Sequence, residues 1–140
     1  PAPGPMTKSA DANNALALTI FEEHPPFTSN PVAAEFVRIF NDRAAKAKLA
    51  DIHVETQAAA SYSAWQILEA GVVGAGSLED KAIAAWLKKS KVDTIQGQLR
   101  FDGPSNYGDD LMKLKQVQDG EWMVVWPREF AKPGARLRRA

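Results

Sequence analysis

Apolar positions along the chain change their spacing three times, and each change marks a different kind of element. The first thirty-one residues hold six of the nine prolines, which reads as extended connection broken by one short apolar run at 15–21. From Asn30-Pro31 the spacing turns helical. Asn30 is a capping side chain and Pro31 suits the first helical position, after which Val32, Phe36, Ile39, Phe40 and Arg43 recur at three and four. A second helix is expected over 56–73, with Tyr62, Trp65, Leu68 and Val72 spaced alike and Gly71, Gly74 and Gly76 loosening its end. Ser77, followed three residues later by Asp80, has the pattern of a capping box, and Ile83, Trp86 and Leu87 give the third helix its apolar stripe.

Beyond Lys91 the period becomes two. Residues 94–101 alternate as one strand, with Ile95, Leu99 and Phe101 on one face and Gly97 where another part of the chain can approach closely. Turn formers fill 102–110. Asp119-Gly120 then sits between two apolar stretches, 112–117 and 121–126, a strong hairpin signal. Trp122-Met123-Val124-Val125-Trp126 is apolar on both faces, so a covering layer is expected on each side. All four tryptophans fall on expected apolar faces and read as core. Three helices, one strand and a hairpin supply too few strands for that cover, so part of the fold is expected to come from elsewhere.

Length and composition then bound the chemistry. At 140 residues, 45% hydrophobic and 24% charged, the chain has the profile of about one globular domain. Seventeen basic and seventeen acidic residues cancel, which argues against nucleic acid as a partner. The cancellation is uneven. Residues 128–140 carry Arg128, Lys132, Arg136, Arg138 and Arg139 against Glu129, a local excess of four positive charges; the last stretch, 133–140, is expected to be a mobile terminus, with contact to a permease or anionic lipid as the alternative. With no cysteine, disulfides, thiolate metal sites and thiol nucleophiles are excluded.

Catalytic patterns are weak. The two histidines, His24 and His53, are isolated and lack metal-ligand spacing, and Asp102, Asp109 and Asp110 do not follow a calcium-loop pattern. The glycines at 71–76 close a helix where a phosphate loop would open one. No triad or pair of catalytic carboxylates assembles, so neither an enzymatic activity, a metal nor a cofactor is expected. Tyr62 is the best candidate for a binding residue: small neighbours (Ala58, Ala59, Ala60, Ser61, Ser63, Ala64) let its ring project toward a cleft, although core packing is the plainer reading of the pattern.

The segment Ser61-Tyr62-Ser63-Ala64-Trp65-Gln66-Ile67-Leu68-Glu69-Ala70, closing with Ala75-Gly76-Ser77, resembles a stretch of the substrate-binding proteins of branched-chain-amino-acid-type ABC transporters, the type I periplasmic binding proteins. Asp93-Thr94-Ile95-Gln96-Gly97 through Phe101-Asp102 is similar to the family's next strand, and Gln116-Val117-Gln118-Asp119-Gly120 through Val125-Trp126-Pro127 to its closing hairpin. The resemblance covers nearly the whole chain but only the C-terminal third or so of a family member. It implies an α/β fold in which two lobes close on a ligand and the chain crosses between them. On that reading 1–30 is extended entry and inter-lobe crossing, and 31–102 is the helical part of the first lobe with one strand. Residues 103–111 form a hinge crossing with Gly103, Pro104 and Gly108 as pivots. Residues 112–128 complete the second lobe as a hairpin, and 129–140 is the basic tail.

Function is implied in the same way. The chain is expected to belong to the solute-binding component of an importer, periplasmic or otherwise extracytoplasmic. It would capture an amino acid or an aromatic or aliphatic carboxylate and pass it to the transporter permease. A ligand-sensing regulatory domain of the same fold is the alternative. Tyr62 matches a position that touches the ligand in the family, and His24 and Phe27 lie near the first crossing, within expected reach of the cleft. The remaining expected partner is the missing N-terminal part of the same protein, or a second copy, covering exposed surface.

Overall fold

The computed structural model describes residues 7–106, 108 and 111–139. Pro1, Pro3 and Pro5 of the proline-rich start, and Asp109 and Asp110 of the turn-rich loop, lie outside the described residues. Among the described residues the fold is mixed α/β, with three α-helices and five strands in two small sheets.

Helix α1 spans Pro31–Lys46, and the Asn30 side chain caps it by accepting the Val32 N–H at 3.0 Å. Helix α2, Thr56–Ala75, ends where Gly76 adopts a left-handed conformation (φ 60°) that a glycine reaches without penalty. Helix α3 covers Asp80–Leu87. Its entry differs from the expected capping box: the Ser77 hydroxyl accepts the Glu79 N–H at 3.0 Å, so Ser77 makes a turn one step before the helix and Glu79 takes the cap position.

Strand β1, Leu16–Thr19, forms inside the apolar run at 15–21, which the pattern marks only as an interruption of extended chain. It pairs antiparallel with strand β4, Lys113–Gln118, with Leu16 opposite Gln116 and Thr19 opposite Lys113. Nearly a hundred residues separate the two strands, so nothing local in the sequence announces the pairing. Strand β5, Glu121–Trp126, completes the sheet in the order β1-β4-β5. Between β4 and β5, Asp119 (φ 55°) and Gly120 (φ 84°) form the expected two-residue turn, both with positive φ as a type I′ turn requires.

The expected single strand at 94–101 is instead a hairpin. Strands β2, Lys91–Thr94, and β3, Gly97–Arg100, pair antiparallel, and the chain reverses through Ile95 and Gln96. Gly97 at φ 106° permits the reversal, and the Thr94 hydroxyl closes it by accepting from the Gln96 N–H and donating to the Gly97 carbonyl. Ile95 is buried because the Gln66 side chain of α2 caps its N–H at 3.0 Å and holds the turn against that helix. Alternation fails here because Ile95 reaches the core from a turn.

One core joins the pieces. Phe21, Phe27, Ala33, Ala59, Ile95 and Val124 belong to a continuous buried cluster drawing on β5, on the β2–β3 turn and on α1 and α2. Two tryptophans depart from the expected burial: Trp65 is 72% and Trp126 57% exposed. The two-sided apolar character of β5 is thus met only in part, by Val124 and Val125, while Trp126 lies open.

Candidate functional site

Tyr62 stands on α2 one turn and a half from its start, and its ring lies 4.5 Å from that of Phe36 on α1, tilted by 36°. The two rings form part of the wall of an open groove of about 800 Å³ that runs along α1. Val32, Ile39, Phe40 and Leu49 continue its apolar lining, and Glu35 and Arg43 stand at its edge. The groove exists because α1 places residues three and four apart on one face and no described element covers that face. Glu35 is engaged along the helix by Arg38, which also reaches Asp42, and the guanidinium holds the Glu35 carboxyl below its ordinary pKa. A surface of this kind is apolar enough to take the apolar body of a ligand.

His24 and Phe27 sit elsewhere. Phe27 is enclosed in the core, with Phe21 at 5.3 Å and Phe130 at 5.0 Å between ring centroids, and does not line the groove. The Lys113 ammonium lies 4.4 Å from the Phe130 centroid and 5.9 Å from that of Phe27, a cation–π setting for a fully buried lysine. His24 packs edge-on against Phe27 at 5.9 Å. Its Nδ1 lies 2.7 Å from the Pro25 carbonyl, so Nδ1 carries the proton and donates. That leaves Nε2 as an acceptor, buried and without a protein partner. Burial, the largest influence, lowers the His24 pKa from its usual value. A relay of packed rings, Phe36, Phe21 and Phe27, links Tyr62 to His24.

The expected pivots occupy a loop whose unusual backbone lies at other residues. Pro104 opens a short turn closed by the Asn106 N–H donating to the Gly103 carbonyl at 3.1 Å, and the left-handed φ values belong to Ser105 (58°) and Asn106 (64°). Asn tolerates that region, and Ser does so at some cost.

Sequence reasoning misses two carboxylates that work inside the fold. Glu23 accepts the Val54 N–H at 2.6 Å and meets His53 Nδ1 at 2.7 Å, and the Asn41 amide, turned with its nitrogen inward, donates to it as well. The segment after β1 is thereby tied to α1 and to the approach of α2. Next to it, Glu22 pairs with Lys115 of β4 at 2.5 Å, beside the Thr19 hydroxyl at 3.0 Å. The available signal is the Glu22-Glu23 dipeptide itself, two acids set among Phe21, Pro25, Pro26 and Phe27.

Among the described residues no group of three or more His, Asp or Glu converges as a metal site. No helix among them is long and apolar enough to cross a membrane. No protein-family model matches the chain, and no curated protein is significantly similar to it.

Proposed function

We propose that the chain is the C-terminal part of a two-lobed solute-binding protein that captures a small amino acid or carboxylate and passes it to an ABC-type permease. The observation that carries the reading is Tyr62, 37% exposed on a wall of the apolar groove, at the position where the family resemblance expects a ligand contact. The chain's path is a second support. It leaves the three-stranded sheet after β1, builds α1, α2, α3 and the β2–β3 hairpin, and returns to the same sheet as β4 and β5. The resemblance expects such crossings between lobes; within this chain one buried cluster joins the helices to the sheet, so closure would be against the rest of the protein. A ligand that touches both sides shifts the pair toward the closed state by its differential affinity.

The test is a thermal-shift screen of a protein that joins this chain to the rest of its two lobes. The panel holds branched aliphatic amino acids, aromatic carboxylates and short amides including urea. One class is expected to raise the melting temperature in wild type and not in Tyr62→Ala. A ligand response that Tyr62→Ala leaves intact overturns the assignment of the site, and no response to the amino acids or carboxylates overturns the ligand class. On the same reading the 140 residues alone show no tight one-to-one binding by calorimetry, because the opposing lobe is required.

A further inference from the structure

The basic C-terminal segment is fastened to the fold, contrary to its expected mobility. After β5 the chain makes a short turn at Arg128–Phe130, and the Lys132 N–H donates back to the Val124 carbonyl at 2.9 Å. It reverses at Gly134 (φ 84°), a conformation open to glycine, and runs back across β4. Two glutamines of β4, both buried, then hold its backbone. Gln118 donates to the Arg136 carbonyl at 2.6 Å. Gln116 donates to the Arg138 carbonyl and accepts the Arg138 N–H, each at 2.9 Å, so one amide side chain satisfies a residue's donor and acceptor together. The Arg138 guanidinium closes the arrangement with a forked contact to Asp119 at 2.8 and 3.1 Å.

This strap encloses a concavity of about 650 Å³ whose walls include Arg128, Lys132 and Arg136, with Val125 and Leu137 between them. Lys132 is paired with Glu121 at 3.2 Å. Arg128 and Arg136 form no ion pair among the described residues. Two exposed guanidiniums therefore flank one pocket, and buried amides fix the backbone that carries Arg136. A guanidinium binds a carboxylate through two parallel hydrogen bonds, and fixing it beforehand removes part of the ordering cost.

We propose that this strap pocket is a docking site for an acidic segment of a protein partner, its carboxylates received by Arg128 and Arg136 and their aliphatic stems by Val125 and Leu137. A concave site with apolar walls fits side chains of a peptide better than the plane of an anionic bilayer. The remaining 127 residues carry a net charge of four negatives, which opposes flat approach to such a bilayer. The proposal is independent of the ligand-binding reading, since the pocket shares no residue with the Tyr62 groove.

The test is fluorescence anisotropy of a labelled hexaglutamate peptide titrated with the 140-residue chain at low salt. Inorganic phosphate and phosphatidylserine vesicles serve as competing probes. Saturable one-to-one binding is expected, weakened about tenfold by Arg128→Gln or Arg136→Gln and untouched by Lys88→Gln, just beyond α3. Gln118→Leu keeps every charge but releases the strap, and is expected to weaken binding about fivefold while circular dichroism stays native. Both arginine variants change exposed side chains, so their result stands even if the glutamine variant fails to fold. Absence of saturable binding overturns the proposal, as does equal weakening by Lys88→Gln. So does a natively folded Gln118→Leu that binds like wild type, or preference for vesicles or phosphate over the peptide.

Discussion

Glu22 and Lys115 are each 7% exposed, and their contact spans ninety-three residues of sequence. Desolvating two charges is costly, so the pair is best understood as a register device that fixes the segment after β1 against β4. Breaking it from one side leaves a buried charge. Lys115→Met is expected to lower unfolding free energy by about 3 kcal/mol in urea titration, and Glu22→Leu/Lys115→Met to recover most of the loss. A single variant as stable as wild type would contradict this account. His24 provides a second test at the same scale. Its pKa in the fold is lowered, chiefly by burial, with Glu22 opposing and Lys132 reinforcing the shift. The neutral ring is therefore the native form, whereas the unfolded chain takes up a proton near about pH 6.5. Stability is full above that value and falls as the pH drops below it. Urea midpoints measured at about pH 7.5 and about pH 5 should diverge less for His24→Gln than for wild type; equal divergence would remove His24 from the explanation.

Elements that obey a local rule are legible in the sequence, and elements made by distant contacts are not. Asn30 before Pro31 and Asp119-Gly120 each act through their own backbone, and both features stand where the pattern puts them. Strand β1 depends on β4, and the reversal at Ile95 depends on Gln66, neither of which a window of neighbouring residues contains. For the candidate site, the sequence singles out Tyr62 but not its stacking partner or the groove, because α1 and α2 meet only in three dimensions. Close helix contact has a similar origin. An added Cβ at Gly74 would run into the Trp86 indole of α3, so Gly74 is where α2 admits its neighbour. Replacing a helical glycine by alanine ordinarily stabilises by about 1 kcal/mol. Here the clash with a rigid ring reverses the sign, and Gly74→Ala is expected to cost about 2 kcal/mol in thermal or urea unfolding. Stabilisation would mean that Trp86 moves aside freely.

At the scale of the whole molecule, α2 stands out because it is apolar on nearly every side. A helix of that composition is usually enclosed all round. One face of α2 meets α3 and the β2–β3 hairpin, and yet Trp65 is 72%, Val73 75% and, just beyond the helix, Leu78 81% exposed. Large apolar side chains exposed in this way favour association. Isolated in solution, the 140 residues are therefore expected to self-associate with rising concentration, seen as a growing weight-average mass in sedimentation. Trp65→Ser should reduce that association while leaving the urea midpoint close to wild type, since its ring supports no core contact that burial would reveal. A large loss of stability in Trp65→Ser would mean that the exposed ring packs within its own chain. A strictly monomeric wild type up to high concentration would mean that the open faces of α2 are tolerated by water. The two-lobed reading would then lose its need for a further covering layer.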